Sequence, residues 1–250
     1  MLKKGQVTTF IIVGLIVLIA FIFIFFLRDQ FVEKLRNNSD NQAYLTSQLD
    51  IIKKEVIDKC IEQETTNALR AFGEQGGNFE PLYYTTLYSK KVNFLCLNIP
   101  DQKTCLNQGF NQVKAGNILN NYVSDAVYNC INLNDFENKG YDISTGDFDL
   151  NLKINLMDVL IKVDYPITLT RNEESVKRTE FSKLFYIPLG KFIEITNNIL
   201  VDETTKGEFD IALFFSPYVV RWEHSYPHRV YIIETVDKTY KFQFAVESEP

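Results

Sequence analysis

Apolar and polar positions follow three different rhythms along this chain. The first is an unbroken apolar run: twenty-one residues from Val7 to Leu27 pass without a charge. At about 1.5 Å of rise per residue, a helix of that length reaches roughly 31 Å, close to the hydrocarbon thickness of a bilayer. A helix also satisfies its own backbone groups in lipid. A cleaved secretory signal has a shorter apolar core of about 7–15 residues that ends in small residues. Here the run ends in Phe25, Phe26, Leu27 and Arg28, so it predicts a retained transmembrane helix. The second rhythm is helical. After NNSDN at 37–41, Ser39 and Gln42 have the spacing of a capping box. Leu45, Leu49, Ile52, Val56 and Cys60 then share one face, continued by Ala68, Leu69 and Phe72. Lys53, Lys54, Asp58 and Glu62 occupy the other, and Gly73, Gly76 and Gly77 close the helix as cap and turn.

Residues 82–97 are rich in aromatic and β-branched types and predict two short strands. The stretch around Cys105 reads as loop or irregular helix. A second amphipathic helix is expected near 115–133, with Ile118, Leu119, Tyr122, Val123, Ala126, Val127, Cys130 and Ile131 on its stripe. The third rhythm is strict alternation. Phe148, Leu150, Leu152, Ile154 and Leu156 alternate with polar residues. Met157-Asp158 turns the chain, and Val159, Ile161, Val163, Tyr165, Ile167 and Leu169 alternate again. This predicts a half-buried antiparallel hairpin. Pro166 points to an edge strand or to an end of pairing, because it has no N–H to give a ladder. RNEES leads to a third strand at 176–187. Phe192, Ile195, Ile199 and Leu200 then predict a helix from Gly190 to Glu203. A second meander is expected at 218–224, 229–235 and 240–247, with VDKT as its last turn.

The expected class is α+β: an N-terminal transmembrane helix followed by amphipathic helices packed on antiparallel β-meanders. Residues 1–36 would form a cytoplasmic tip, span and juxtamembrane segment. Residues 37–250 would form an extracellular α+β domain, with a possible subdomain break near 135–146.

Charge narrows the partners. The chain has 26 basic and 32 acidic side chains, a net charge of −6. Lys3 and Lys4 precede the apolar run, so the rest is more acidic still, the wrong sign for a nucleic-acid partner. Lys and Arg nearly balance across the run, with Lys3 and Lys4 before it and Arg28, Lys34 and Arg36 after it. The cysteines break that tie. Four of them, without a C-x-x-C spacing, suit an oxidising exterior. Four cysteines allow three pairings. Sequence distance favours Cys96 with Cys105, which leaves Cys60 with Cys130.

KKGQVT at the start resembles archaeal prepilin-type signals, in which a basic stretch and a glycine precede an apolar helix. IDKCIEQETTNALRAFGEQGG, YNCINLNDFENKGYDISTG and YKFQFAVE are similar to segments of archaeal single-pass surface proteins with such signals. The resemblance implies cleavage after Gly5, leaving Gln6 as the new N-terminus and the helix in the bilayer. Phe10 departs from the pattern, since assembling pilins carry Glu there. The resemblance brings no activity with it.

Candidate chemistry is sparse. His224 and His228 in EHSYPHR have a metal-like spacing, but Pro227 makes a strand-to-strand turn the simpler reading. Asp147-Phe148-Asp149-Leu150-Asn151 imitates half a calcium loop, with Leu152 where the loop needs glycine. Neither G-x-S-x-G nor a phosphate loop is present. No cofactor is expected and no catalytic residue is assigned. Aromatic residues are the better lead: Tyr83, Tyr84, Phe214, Phe215, Tyr218, Trp222 and Tyr226 fall in loops or at strand beginnings, as interface anchors often do. The expected function is a non-catalytic anchored surface protein that meets the lipid bilayer and a protein or glycan partner, in adhesion or envelope structure. A pilin-like filament subunit and an exported hydrolase are the alternatives.

Overall fold

The computed structural model describes residues 14–24, 41–101 and 104–247. Residues 14–24 form helix α1, with Leu15, Phe21 and Phe23 exposed. The rest of the Val7–Leu27 run lies outside the described residues, as do Gly5, Gln6, Phe10 and the Ser39 cap. Among the described residues no helix is long and apolar enough to cross a membrane. The α+β class holds for the remainder, and the spanning helix is not part of what is described.

Helix α2 covers 41–74, with a π-helical turn at Lys53–Ile57. Its apolar stripe is buried from Leu45 to Phe72. Strands β1 (Tyr84–Leu87), β2 (Lys90–Leu97) and β3 (Leu106–Asn107) follow. The short β3, paired with β2, replaces the loop or irregular helix expected beside Cys105. Helix α3 (Gln112–Cys130) begins at Asn111, whose side chain accepts a hydrogen bond from the Lys114 amide, and one-turn α4 spans Asn134–Glu137. Next come β4 (Asp142–Thr145), β5 (Asp149–Ile154), β6 (Val159–Arg171) and β7 (Glu174–Phe185). Helix α5 (Leu189–Lys206) precedes β8 (Val219–Ser225), β9 (His228–Glu234) and β10 (Lys241–Val246).

The strands form two sheets. One has the order β1-β2-β10-β9-β8, and in the other β6 pairs with β4, β5 and β7. The late meander β8-β9-β10 is antiparallel as expected, but β10 joins β2 in parallel. That pair departs from the all-antiparallel expectation. Its partners are separated by the whole second sheet, so no hairpin constrains their direction. It also makes β10 an inner strand. Phe242 and Phe244 face the large core, while Ala245 faces a second cluster with Val92, Phe94, Val230 and Ile232. Tyr240, Phe242, Phe244 and Val246 alternate with Lys241, Gln243 and Ala245, the pattern of a half-wet strand, yet β10 is covered on both faces.

The first sheet curls until its ends meet. The hydroxyls of Thr85 on β1 and Ser225 on β8 lie 2.6 Å apart, and Ser225 Oγ donates to the Thr86 carbonyl at 3.0 Å. Tyr88 Oη donates to Glu223 at 2.6 Å. The two edge strands thus shield one another, which blunts the usual liability of an open edge.

Helix α2 lies between the sheets, against β10 and β7. Arg178 and Lys183 on β7 reach Asp50 and Glu62 of α2 at 2.7 and 3.1 Å. Gly73 is helical and is not part of the turn. A Cβ there would lie 2.2 Å from the Lys241 carbonyl, so glycine permits the backbone of β10 to approach. Gly76 and Gly77, at φ of 74° and 80°, make the turn itself. One buried cluster joins side chains of both sheets and α2 to α5, and it includes Phe136 and Tyr141 from the 135–146 segment. The bridges join Cys60 to Cys130 and Cys96 to Cys105, with Cα separations of 5.7 and 5.3 Å.

Candidate functional site

Pro166 decides where the second sheet opens. It lies within the longest strand, β6, which is central and not an edge. One side of β6 pairs with β5 as far as Asp164 and with β4 from Ile167 onward. On the other side the β7 register shifts over the same residues. Proline fits because the ladder already breaks there on both sides. Its carbonyl still accepts from the Gly146 amide at 2.8 Å. Between β4 and β5 the chain leaves the sheet at 146–148 and meets the outer face of α3.

A cleft of about 340 Å³ opens at this junction, lined by Ser124, Asp125 and Tyr128 of α3, Thr145, Gly146, Asp147 and Phe148, and Tyr165 of β6. Three rings run through it: Tyr128 to Phe148 and Phe148 to Tyr165 are each 5.4 Å between centroids. Tyr165 is buried as the floor, and Tyr128 is 55% exposed at the rim. Asp125 precedes Tyr128 by three residues, which places both on neighbouring positions of one helix face. Asp125 and Asp147 have no hydrogen-bond or ion-pair partner among the described residues. The arrangement combines apolar ring faces, two carboxylates and the hydroxyls of Ser124, Thr145 and the two tyrosines. It suits a ligand with hydroxyl donors around an apolar face.

Of the calcium-like stretch, Asp147 faces this cleft while Asp149 is an exposed position of β5. Among the described residues no three His, Cys, Asp or Glu side chains converge on a possible metal position. His224 and His228 are drawn apart by the β8–β9 hairpin, which turns at a cis Tyr226-Pro227 bond. The His224 ring packs on Trp222 at 4.6 Å and the His228 ring on Phe94 at 4.9 Å, on opposite faces of the ribbon.

The aromatic residues singled out by the sequence divide into two groups. Tyr83, Tyr84, Phe215, Trp222 and Tyr226 are exposed. Phe214 and Tyr218 are half-buried and belong to the core margin, where Tyr218 meets Phe192 at 5.0 Å and Phe214 meets Phe209 at 5.3 Å.

One buried carboxylate escaped sequence reasoning. Glu203, in the last turn of α5, is 2% exposed. It accepts a hydrogen bond from Tyr231 Oη, and Arg229 Nη1 approaches at 3.3 Å. Burial pushes its carboxyl above the ordinary range, with Tyr231 and Arg229 opposing the shift in part. Arg229 also donates to the Gly207 carbonyl, so the group ties the end of α5 to β9. The available signal was spacing: Glu203 falls four residues after Ile199, in line with the apolar stripe. For the cleft, the signal was Tyr128 lying off the stripe of its own helix. No family model matches this chain, and no curated protein or solved structure matches it either.

Proposed function

We propose that this chain is a non-catalytic, membrane-anchored surface protein whose extracellular domain holds a hydroxyl-rich glycan partner in the Tyr128 cleft. The observation that carries the reading is the meeting of Tyr128, Phe148 and Tyr165 with the unpaired Asp125 and Asp147 in one opening. A sugar ring has an apolar C–H face for the tyrosine and hydroxyl donors for the carboxylates. The bridges at Cys60–Cys130 and Cys96–Cys105 support an oxidising exterior. The uncharged run at Val7–Leu27 supports an anchor in the bilayer.

The test is an array of neutral glycans probed with the full chain in detergent micelles. Tyr128→Ala removes an exposed ring, so the fold survives while binding falls at least tenfold. Equal binding by the variant and the parent refutes the site. Release of new reducing ends, lost in Asp125→Asn, would replace this reading with the exported hydrolase. Topology is checked separately, by adding protease to whole cells: protection of residues 41–247 refutes the extracellular placement.

A further inference from the structure

In an acidic chain of net charge −6, one cleft carries Arg70, Lys238 and Lys241 among its eight lining residues against a single acid, Glu74. It lies away from the Tyr128 cleft, where the end of α2 meets the β9–β10 turn and the segment after β7, at the seam between the two sheets. Its volume is about 190 Å³. Thr66, Arg70 and Glu74 line it from α2, each four residues after the last and therefore on one face. Lys238, Thr239 and Tyr240 line it from the turn and Lys241 from the start of β10, and Ile187 adds an apolar wall. Clefts at such seams are common ligand positions.

The charges are unevenly engaged. Glu74 pairs with Lys90 on one side and with Lys241 at 3.7 Å on the other. Arg70 and Lys238 have no acidic partner among the described residues. Lys238 is held in the left-handed region at φ 58°, inside a turn closed by the Thr235 amide donating to the Tyr240 carbonyl at 3.0 Å. Asp237, the nearest further acid in that turn, accepts from the Thr239 amide and hydroxyl at 3.2 and 2.8 Å.

We propose that this cleft binds a single carboxylate group, with the Arg70 guanidinium and the Lys238 ammonium on its two oxygens. The charge count separates a carboxylate from a phosphate dianion. Arg70, Lys238 and Lys241 against Glu74 leave two positive charges in the lining. The C-terminal end of α2 subtracts roughly half a charge. Asp237 and the acidic chain as a whole lower the potential further. What remains matches a monoanion and repels a second negative charge. The planar fork of arginine also matches the two oxygens of a carboxylate. The carboxylate has two sources, a free small acid or a uronic residue of an acidic glycan, and both present the same chemistry to Arg70.

Calorimetric titration of the full chain in neutral detergent, at low salt, tests this with acetate, D-glucuronate, D-glucose and inorganic phosphate. With the glycan cleft disabled by Tyr128→Ala, acetate and glucuronate should bind saturably, glucose should not, and phosphate should bind at least tenfold more weakly than glucuronate. Tighter binding of glucuronate than acetate assigns the site to uronic residues, and equal binding assigns it to free acids. Arg70→Gln and Lys238→Gln should each weaken glucuronate at least tenfold. Both side chains are exposed, so circular dichroism should be unchanged. Acetate, which has no sugar ring, should bind Tyr128→Ala and the parent equally, which keeps this site separate from the glycan cleft. The proposal is overturned by phosphate binding as tightly as glucuronate, by equal binding of glucose in Tyr128→Ala, by no saturable carboxylate binding, or by full affinity in Arg70→Gln.

Discussion

The two disulfides should contribute unequally, and the chain lengths they close say by how much. Cys60–Cys130 joins residues 70 apart, and Cys96–Cys105 joins residues 9 apart. Loop-closure entropy gives about 4.4 kcal/mol for the first and about 2.6 kcal/mol for the second at 25 °C. The perturbation is a pair of double variants, Cys60→Ala with Cys130→Ala and Cys96→Ala with Cys105→Ala. Each removes two sulfurs from mostly buried positions, since Cys60, Cys96 and Cys105 are all buried. The packing losses therefore largely cancel when the variants are compared. What survives is a difference of about 1.8 kcal/mol from the ratio of loop lengths. Urea unfolding followed by circular dichroism measures it. For a domain of this size the long-bridge variant should melt roughly 9–18 °C lower than the parent and the short-bridge variant roughly 5–10 °C lower. The long bridge also fastens α2 to the end of α3, so its loss should loosen the helical layer first. Equal destabilisation by the two variants, or a larger loss from the short bridge, would refute the entropy argument.

Two further outcomes follow from buried contacts. Because the Glu203 carboxyl is raised in the folded chain, its contribution is fully present below the unfolded value of about 4.3 and is lost as pH rises through the folded value. Glu203→Gln should therefore gain stability relative to the parent over that window and then level off, as read from melting temperatures between pH 4 and 8; a pH-independent difference contradicts it. At Gly190, a Cβ would stand 2.4 Å from the Asn155 carbonyl, so Gly190→Ala must push the start of α5 away from the β5–β6 turn. A loss of about 1–3 kcal/mol in urea unfolding is expected, and an unchanged midpoint would show that the contact relaxes freely.

Local patterns carried much of the fold. Period-two alternation over 148–169 assigned the inward faces of β5 and β6, because a strand has only two faces and one of them must be dry. Helical spacing likewise assigned the buried stripes of α2 and α5 and most of that of α3, where Tyr122 instead stays exposed and stacks on Phe79. The bridges join the pairs that sequence distance favours, since a short loop meets its partner at little entropic cost. The candidate cleft was less legible. Asp147 and Phe148 were visible as part of an alternating strand, yet their approach to Tyr128 depends on how α3 crosses β5. Pro166 was read as an edge signal, but what the proline requires is a missing ladder bond, and a register break in a central strand meets that requirement as well.

What the amino-acid order determined by itself was the longer elements, the dry faces of α2, α5, β5 and β6 and the uncharged opening run, because each follows from residues a few positions apart; the short α4, β3 and β4 carry too few residues to show a period. Tertiary structure alone decided the parallel seam of β2 with β10, the meeting of β1 with β8 around a second small core, and the burial of Glu203 against Tyr231. These depend on contacts between segments far apart in the chain. No local periodicity encodes them, since the energy that selects them arises only when the sheets close on a shared core.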